Sequence, residues 1–233
     1  MISKILEYSY NKQIGHIPSA LSMVDYLNVV FDYVNQDDII VIGKPFGAQA
    51  YYIVWKEKGW IENIDNLHMG VKHDEIPFVV YSDETIGNAL GVAAGIALTT
   101  NKKVYVNLSD ASLQIGTILE AIQFIGKHQL NILVTIDYNR MQVTGKISDI
   151  IPVEPVYNFF RCNDWIDYEV DGHDHDLIDN TIKTAYNCTT PTVIFCYTKK
   201  GNGVEQMLDN PKQWHYRKLN EKDFTSILNK IKK

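Results

Sequence analysis

The chain has 233 residues, 45% of them hydrophobic, which is long enough for a well-buried core and fits one large α/β domain over 1–233 better than two small ones. A formal net charge of −6 with no basic block argues against nucleic acid as the main partner. Cys162, Cys188 and Cys196 show no C-x-x-C spacing and read as reduced thiols; no signal-peptide core or membrane-length apolar run is found, so no membrane partner is expected and the cytoplasm follows by default.

In chain order, Gly15-His-Ile-Pro-Ser19 precedes a helical pattern with Leu21, Val24, Leu27, Val30, Phe31 and Val34 on one face, and Pro18 and Ser19 make its start. The run 38–42 reads as a short buried strand, and 47–58 as a helix ending at Gly59. The segment 60–77 carries His68 and His73 without a clear period and reads as a loop. A turn through Asp83, Glu84, Ile86 and Gly87 leads into a small-residue helix over 91–98, suited to close packing.

The stretch Leu108 to Gln142 organises the chain. A strand over 103–108 runs into Ser109-Asp110-Ala111-Ser112. A helical stretch follows with apolar Leu113, Gly116, Leu119, Ala121, Phe124 and Ile125, and a second strand over 131–137 ends at Tyr138-Asn139-Arg140-Met141-Gln142. Such a βαβ unit makes the two strands parallel neighbours. Asp110 and Asn139 then sit at carboxyl ends of strands, where open α/β sheets bind ligands. A carboxylate, a carboxamide oxygen and a freed backbone carbonyl there suit Mg²⁺ or Ca²⁺. On spacing alone, helix capping and turn formation remain the more ordinary roles for both residues.

Further on, 149–160 reads as a loop with Pro152 and Pro155 leading to a short helix, and 165–170 as a strand. Asp174 is an N-cap candidate, with His173 and His175 structural; 192–198 is another buried strand. The stretch 220–233 forms an amphipathic helix with Phe224, Ile227 and Ile231 inward and Lys222, Lys230, Lys232 and Lys233 on its solvated face and tail. G-x-G-x-x-G after the first strand and Walker A are both absent.

Several of these pieces, in order, resemble the transketolase family. Ser109-Asp110-Ala111, Ser112-Leu-Gln-Ile-Gly116, Leu119-Glu-Ala121 and Asn139 resemble its thiamine diphosphate motif: Gly-Asp-Gly, Glu-Leu-Gln-Glu-Gly, Trp-Glu-Ala and Asn. Gly15-His16 resembles its opening Gly-His-Pro-Gly, and 81–90 its Thr-Gly-Ser-Leu-Gly-x-Gly-Leu. Asp171-Gly-His-Asp174 resembles its Val-Asp-Gly-His-Asp turn. Thr198 to Val204 with Trp214-His215 resembles its Thr-Lys-Gly-x-Gly-Val and Trp-His.

The resemblance implies a three-layer α/β/α thiamine diphosphate-binding fold on a mainly parallel sheet, with Mg²⁺ (or Ca²⁺) held by Asp110, Asn139 and the Met141 carbonyl. It implies cofactor contacts from Ser109, Ala111, Ile86, Gly87, Asn139 and His215, with Lys44 as a source of charge, and catalytic roles for His16, His215 and His68. Gly43-Lys44-Pro45-Phe46 departs from the family's Ser-Lys-Gly-His, losing a histidine that contacts the diphosphate, and Ile115 replaces a glutamate of a carboxylate network. Asp83 and Glu84 add negative charge near an anionic ligand, unfavourable unless they point away.

A transketolase also carries a pyrimidine-binding domain that the chain is not expected to contain. The resemblance therefore implies a split enzyme in which a separate pyrimidine-binding subunit completes the site, as an α₂β₂ heterotetramer. The expected activity is transfer of a two-carbon ketol unit between phosphorylated or modified sugars. Two alternatives stay open: 2-oxo acid decarboxylation or acyloin formation on the same cofactor, and a non-catalytic subunit that stabilises its partner.

Overall fold

The computed structural model describes residues 1–231; Lys232 and Lys233, expected in the solvated tail, lie outside the described residues. Their order is α1 (Ile2–Lys12), α2 (Ile17–Tyr33), β1 (Ile39–Ile42), α3 (Ala48–Glu57), β2 (Val79–Ser82), α4 (Ala89–Ala97), β3 (Val104–Ser109), α5 (Gly116–His128), β4 (Ile132–Tyr138), α6 (Glu154–Cys162), β5 (Ile166–Asp171), α7 (His175–Tyr186), β6 (Thr192–Tyr197), α8 (Glu205–Asp209) and α9 (Glu221–Ile231). All pairings in the six-stranded sheet are parallel, in the order β2-β1-β3-β4-β6-β5.

The near-continuous apolar strands reflect burial on both faces, as parallel sheets require. The period of two sorts their side chains between two cores. Ile40, Ile42, Leu133 and Ile194 face a layer with α1, α2, α3 and α7, whereas Val41, Ile132, Val134 and Phe195 face α4, α5 and α6. This is the expected three-layer α/β/α arrangement.

The central βαβ unit forms as expected, with β3 beside β4 and Ser109 opposite Asp137 in register. A 3₁₀ turn over Asp110–Gln114 separates β3 from α5. The buried face of α5 differs from expectation: Ile118, Ala121, Ile122 and Ile125 are its core residues, whereas Phe124 is 42% exposed. The inward stripe thus runs 118, 121, 122, 125, the i, i+3, i+4, i+7 pattern, and Phe124 falls outside it. Helix α1 and strand β2 lie outside the elements expected from sequence. The C-terminal helix α9 buries Ile227, with Phe224 and Ile231 packed against the core at its side.

Candidate cofactor and substrate site

Chain order places the sheet's switch point between β1 and β3, since β2 lies on one side of β1 and β3 on the other. Ligands bind at such a reversal, outside the carboxyl ends of the strands. A cavity of about 400 Å³ lies there. It draws Lys44 and Phe46 from after β1, Glu84 and Ile86 from after β2, Ser109, Asp110 and Ala111 from after β3, and Asn139 and Met141 from after β4. Lys200, His215 and Tyr216 from beyond β6, and His16 and Ser19 from the start of α2, complete the wall.

The two histidines meet through the backbone. The His16 N–H donates to the His215 carbonyl at 2.8 Å, and the rings lie edge to face with centroids 4.5 Å apart. Gly15 permits this approach, because a Cβ there would sit 2.8 Å from the Tyr216 carbonyl oxygen. Burial, followed by the charges of Lys200 and Lys44, lowers His16 to about 4. Burial, then Lys200, His16 and Lys44, lowers His215 to about 3. Both imidazoles are therefore neutral at pH 7, and the Nδ1 atom of each is buried without a hydrogen-bond partner.

Hard oxygens collect on the cavity floor. The Asp110 carboxylate accepts from the Ala111 N–H at 2.8 Å and the Arg140 N–H at 2.6 Å. Burial raises its pKa to about 7, aided by Asp137 and opposed by Lys44. The Asn139 side-chain oxygen accepts from the Met141 N–H at 3.0 Å, and the Met141 carbonyl accepts from Lys200 Nζ at 3.4 Å. Each of these oxygens retains acceptor capacity. A buried carboxylate whose ionised form is disfavoured by desolvation suits a hard divalent cation, so the donor set fits Mg²⁺. Among the described residues no group of three His, Cys, Asp or Glu side chains is placed to hold a metal, so a cation here would rest on amide and backbone oxygens as well.

Other expected site residues are placed differently. Lys44 makes a buried ion pair with Asp137, which also accepts from Ser22 and Asn139. Burial pushes the Asp137 carboxyl up, but the Lys44 ammonium and the hydroxyl donors outweigh it and hold the carboxyl below its usual range. The charge of Lys44 is thus neutralised within the protein. Among the described residues, Lys200 is the buried cation on this floor without a carboxylate partner, and burial followed by Lys44 lowers its pKa to about 8. Its position in the Thr-Lys-Gly segment was the signal that could have marked it.

Asp83 turns away from the cavity and accepts from the N–H groups of Gly87, Asn88 and Ala89 at 3.1, 3.3 and 3.1 Å, so the start of α4 is capped by its own carboxylate. Gly87 accordingly does not line the cavity, whereas Ile86 and the exposed Glu84 do. His68 also lies outside the lining: it is exposed and bonded to Glu75, in a loop directed to solvent. His173 bonds to Asp25 and accepts from the Lys199 N–H, and Asp174 caps α7, both structural roles.

The fold and its switch-point cavity define a ligand-binding α/β domain. Residues 92–231 match the family described as transketolase, thiamine diphosphate binding domain, and the chain belongs to that family. It is 28% identical to the 6-deoxy-6-sulfo-D-fructose transketolase subunit SqwG of Clostridium sp. (strain MSTE9), over 94% of this chain and 89% of that protein. It is 24% identical to an apulose-4-phosphate transketolase subunit of Phocaeicola vulgatus, over 91% and 84% respectively. The transketolase structure from Campylobacter jejuni superposes with a TM-score of 0.84 at 18% identity, over 99% of this chain. The chain spans 41% of that structure's length, and 39% of transketolase-like protein 2 of Bos taurus.

Proposed function

We propose that this chain is the diphosphate-binding subunit of a two-subunit transketolase-like transferase that moves a two-carbon ketol unit between phosphorylated or modified sugars in the cytoplasm. The observation that carries it is the convergence of His16, His215, Asp110, Asn139 and Met141 on one cavity, in a chain that covers most of the length of relatives named as transketolase subunits. Those names support a separate pyrimidine-binding partner, and two-fold symmetry favours an α₂β₂ assembly.

Asp110, Asn139 and the Met141 carbonyl would hold Mg²⁺, and Ser109, Ala111, Ile86 and Lys200 would hold the diphosphate end of thiamine diphosphate. When bound, the cofactor supplies the carbanion chemistry. His16 and His215, neutral in their buried setting, hydrogen-bond sugar hydroxyls and hold or pass a proton at a sugar oxygen. Lys44 keeps Asp137 ionised beneath the floor, which in turn fixes the Asn139 amide.

The test is reconstitution with the pyrimidine-binding subunit, thiamine diphosphate and Mg²⁺, followed by assay of aldehyde release from ketose donors. Release that requires both subunits and is lost in Asp110→Ala is the expected result. Release from 2-oxo acids alone, or partner activity unchanged by Asp110→Ala, would overturn it.

A further inference from the structure

Lys200 enters the cavity from a short segment after β6, and side chains outside the cavity lining help to hold that segment. Two backbone N–H groups flank Lys200. That of Lys199 donates to His173 Nε2 at 2.9 Å, and that of Gly201 donates to the Pro18 carbonyl at 3.0 Å. Because Nε2 accepts, the imidazole proton sits on Nδ1, which donates to the Asp25 carboxylate at 2.7 Å. Asn202, on the far side of Lys200, donates to the same carboxylate at 3.3 Å. Asp25 and Pro18 both belong to α2, about two turns apart. Helix α2 therefore grips the segment on both sides of Lys200, directly at Pro18 and through His173 at Asp25.

We infer that His173, oriented by Asp25, is a positioning residue for Lys200: it fixes the Lys199 peptide, and with it the direction in which the next side chain enters the cavity. What Lys200 does there rests on the proposed function, in which it holds the diphosphate. A lysine side chain is long and flexible, so the place of its ammonium depends on how firmly its backbone is held. Lys200 Nζ reaches the Met141 carbonyl at 3.4 Å, and the side chain is buried along the way. Ligand-binding groups keep such a geometry when a further layer of hydrogen bonds locks them. Without an acceptor at the Nε2 position the Lys199 N–H turns to water, and the segment loses the anchor next to Lys200. The half-buried Asp25 carboxylate sets which imidazole nitrogen accepts, so His173 presents a lone pair, not a proton, to the Lys199 N–H.

The experiment compares wild type, His173→Asn, His173→Gln and Lys200→Met, each as the full chain. Inorganic pyrophosphate with Mg²⁺ is the binding probe, followed by calorimetry. Acylation of Lys200 by an N-hydroxysuccinimide ester, mapped by mass spectrometry, reads whether its amine has left its buried seat. Gln places an amide oxygen near the Nε2 position and restores the acceptor, whereas Asn keeps an amide near Nδ1 and leaves the Lys199 N–H without one. We expect Lys200→Met and His173→Asn both to weaken pyrophosphate binding, the latter by about three- to tenfold, the worth of one hydrogen bond. In His173→Asn the Lys200 amine should acylate severalfold faster and the Lys199 N–H should exchange faster with solvent; His173→Gln should return both toward wild type. Both variants remove the ring, so a role in packing alone would not separate them. Wild-type binding and acylation in His173→Asn, or a Gln variant no better than Asn, would overturn the inference while leaving Lys200 on the diphosphate. Should Lys200→Met bind pyrophosphate as the wild type does, the diphosphate role of Lys200 falls instead, and the acylation ranking of the two His173 variants decides the positioning alone.

Discussion

The ring of Phe46 lies against the imidazole of His16, with centroids 4.9 Å apart and planes inclined at 23°. The contact helps bury His16, and burial is the leading cause of its lowered pKa. Phe46→Ala admits water to one face of the imidazole and relieves part of that penalty on the charged form. The His16 pKa should rise from about 4 toward the ordinary value near 6.5 in an NMR titration of the ring protons. An unchanged value would assign the depression to Lys200 and Lys44 instead.

The floor and the histidines give the metal-free protein opposing pH dependences. For Asp110, folded at about 7 against an ordinary 3.8, the folded chain holds a proton that the unfolded chain has lost. Its contribution is therefore present below about 4 and lost as pH rises to about 7. For His16 and His215, lowered to about 4 and 3, the unfolded chain holds the extra protons, so their contribution increases as pH rises toward 6.5. Subtracting the stability curve of Asp110→Asn from that of the wild type isolates the carboxylate. The difference should fall by up to about 4 kcal/mol between pH 4 and 7, at about 1.4 kcal/mol per pKa unit. Saturating Mg²⁺ at pH 7.5 should stabilise the wild type and leave Asp110→Asn unmoved in the same thermal scans.

Removing one partner of a buried ion pair leaves a desolvated charge without compensation, typically costing about 3–5 kcal/mol. Lys44→Met and Asp137→Asn should each lose about that much in urea unfolding. The double variant should lose clearly less than the sum, because no charge is then stranded. Simple additivity would show that the other donors to Asp137, Ser22 and Asn139 among them, carry its stabilisation.

These relationships differ in how far sequence could reveal them. Strands β1, β3, β4 and β6 are legible because strands buried on both faces read as continuous apolar runs, and the βαβ connection makes β3 and β4 neighbours. The edge strand β2 has four residues, buried at its two ends and more open between them, too little pattern to stand out from its loop. Helix α1 carries its period in Ile2, Ile5 and Leu6, a signal present but short. Asp110 and Asn139 are legible because both sit at strand ends, where topology alone sets their proximity. The pairing of Lys44 with Asp137 is not, since 93 residues separate them and only the assembled sheet decides which lysine keeps a free charge. Nor does spacing show that Asp83 folds back onto the start of α4 while its neighbour Glu84 faces the cavity.

The turn before α4 offers a sharper test of how Ile115 is accommodated in place of a glutamate. Gly87 has φ +126°, a conformation that side chains rarely adopt, and a Cβ there would lie 2.9 Å from Ile115 Cγ2. Its carbonyl is also held by the Thr117 hydroxyl at 2.6 Å, so the turn cannot readily swing away. Gly87→Ala therefore incurs backbone strain of about 1–3 kcal/mol and an overpacking cost of about 1–3 kcal/mol. In an Ile115→Ala background the second cost disappears and the first remains. Denaturant unfolding should show Gly87→Ala to be about 1–2 kcal/mol milder there than in the wild type, within the range for overpacking. Equal penalties in both backgrounds would mean that Ile115 moves aside freely, and the tight seat between it and the turn would have no energetic consequence.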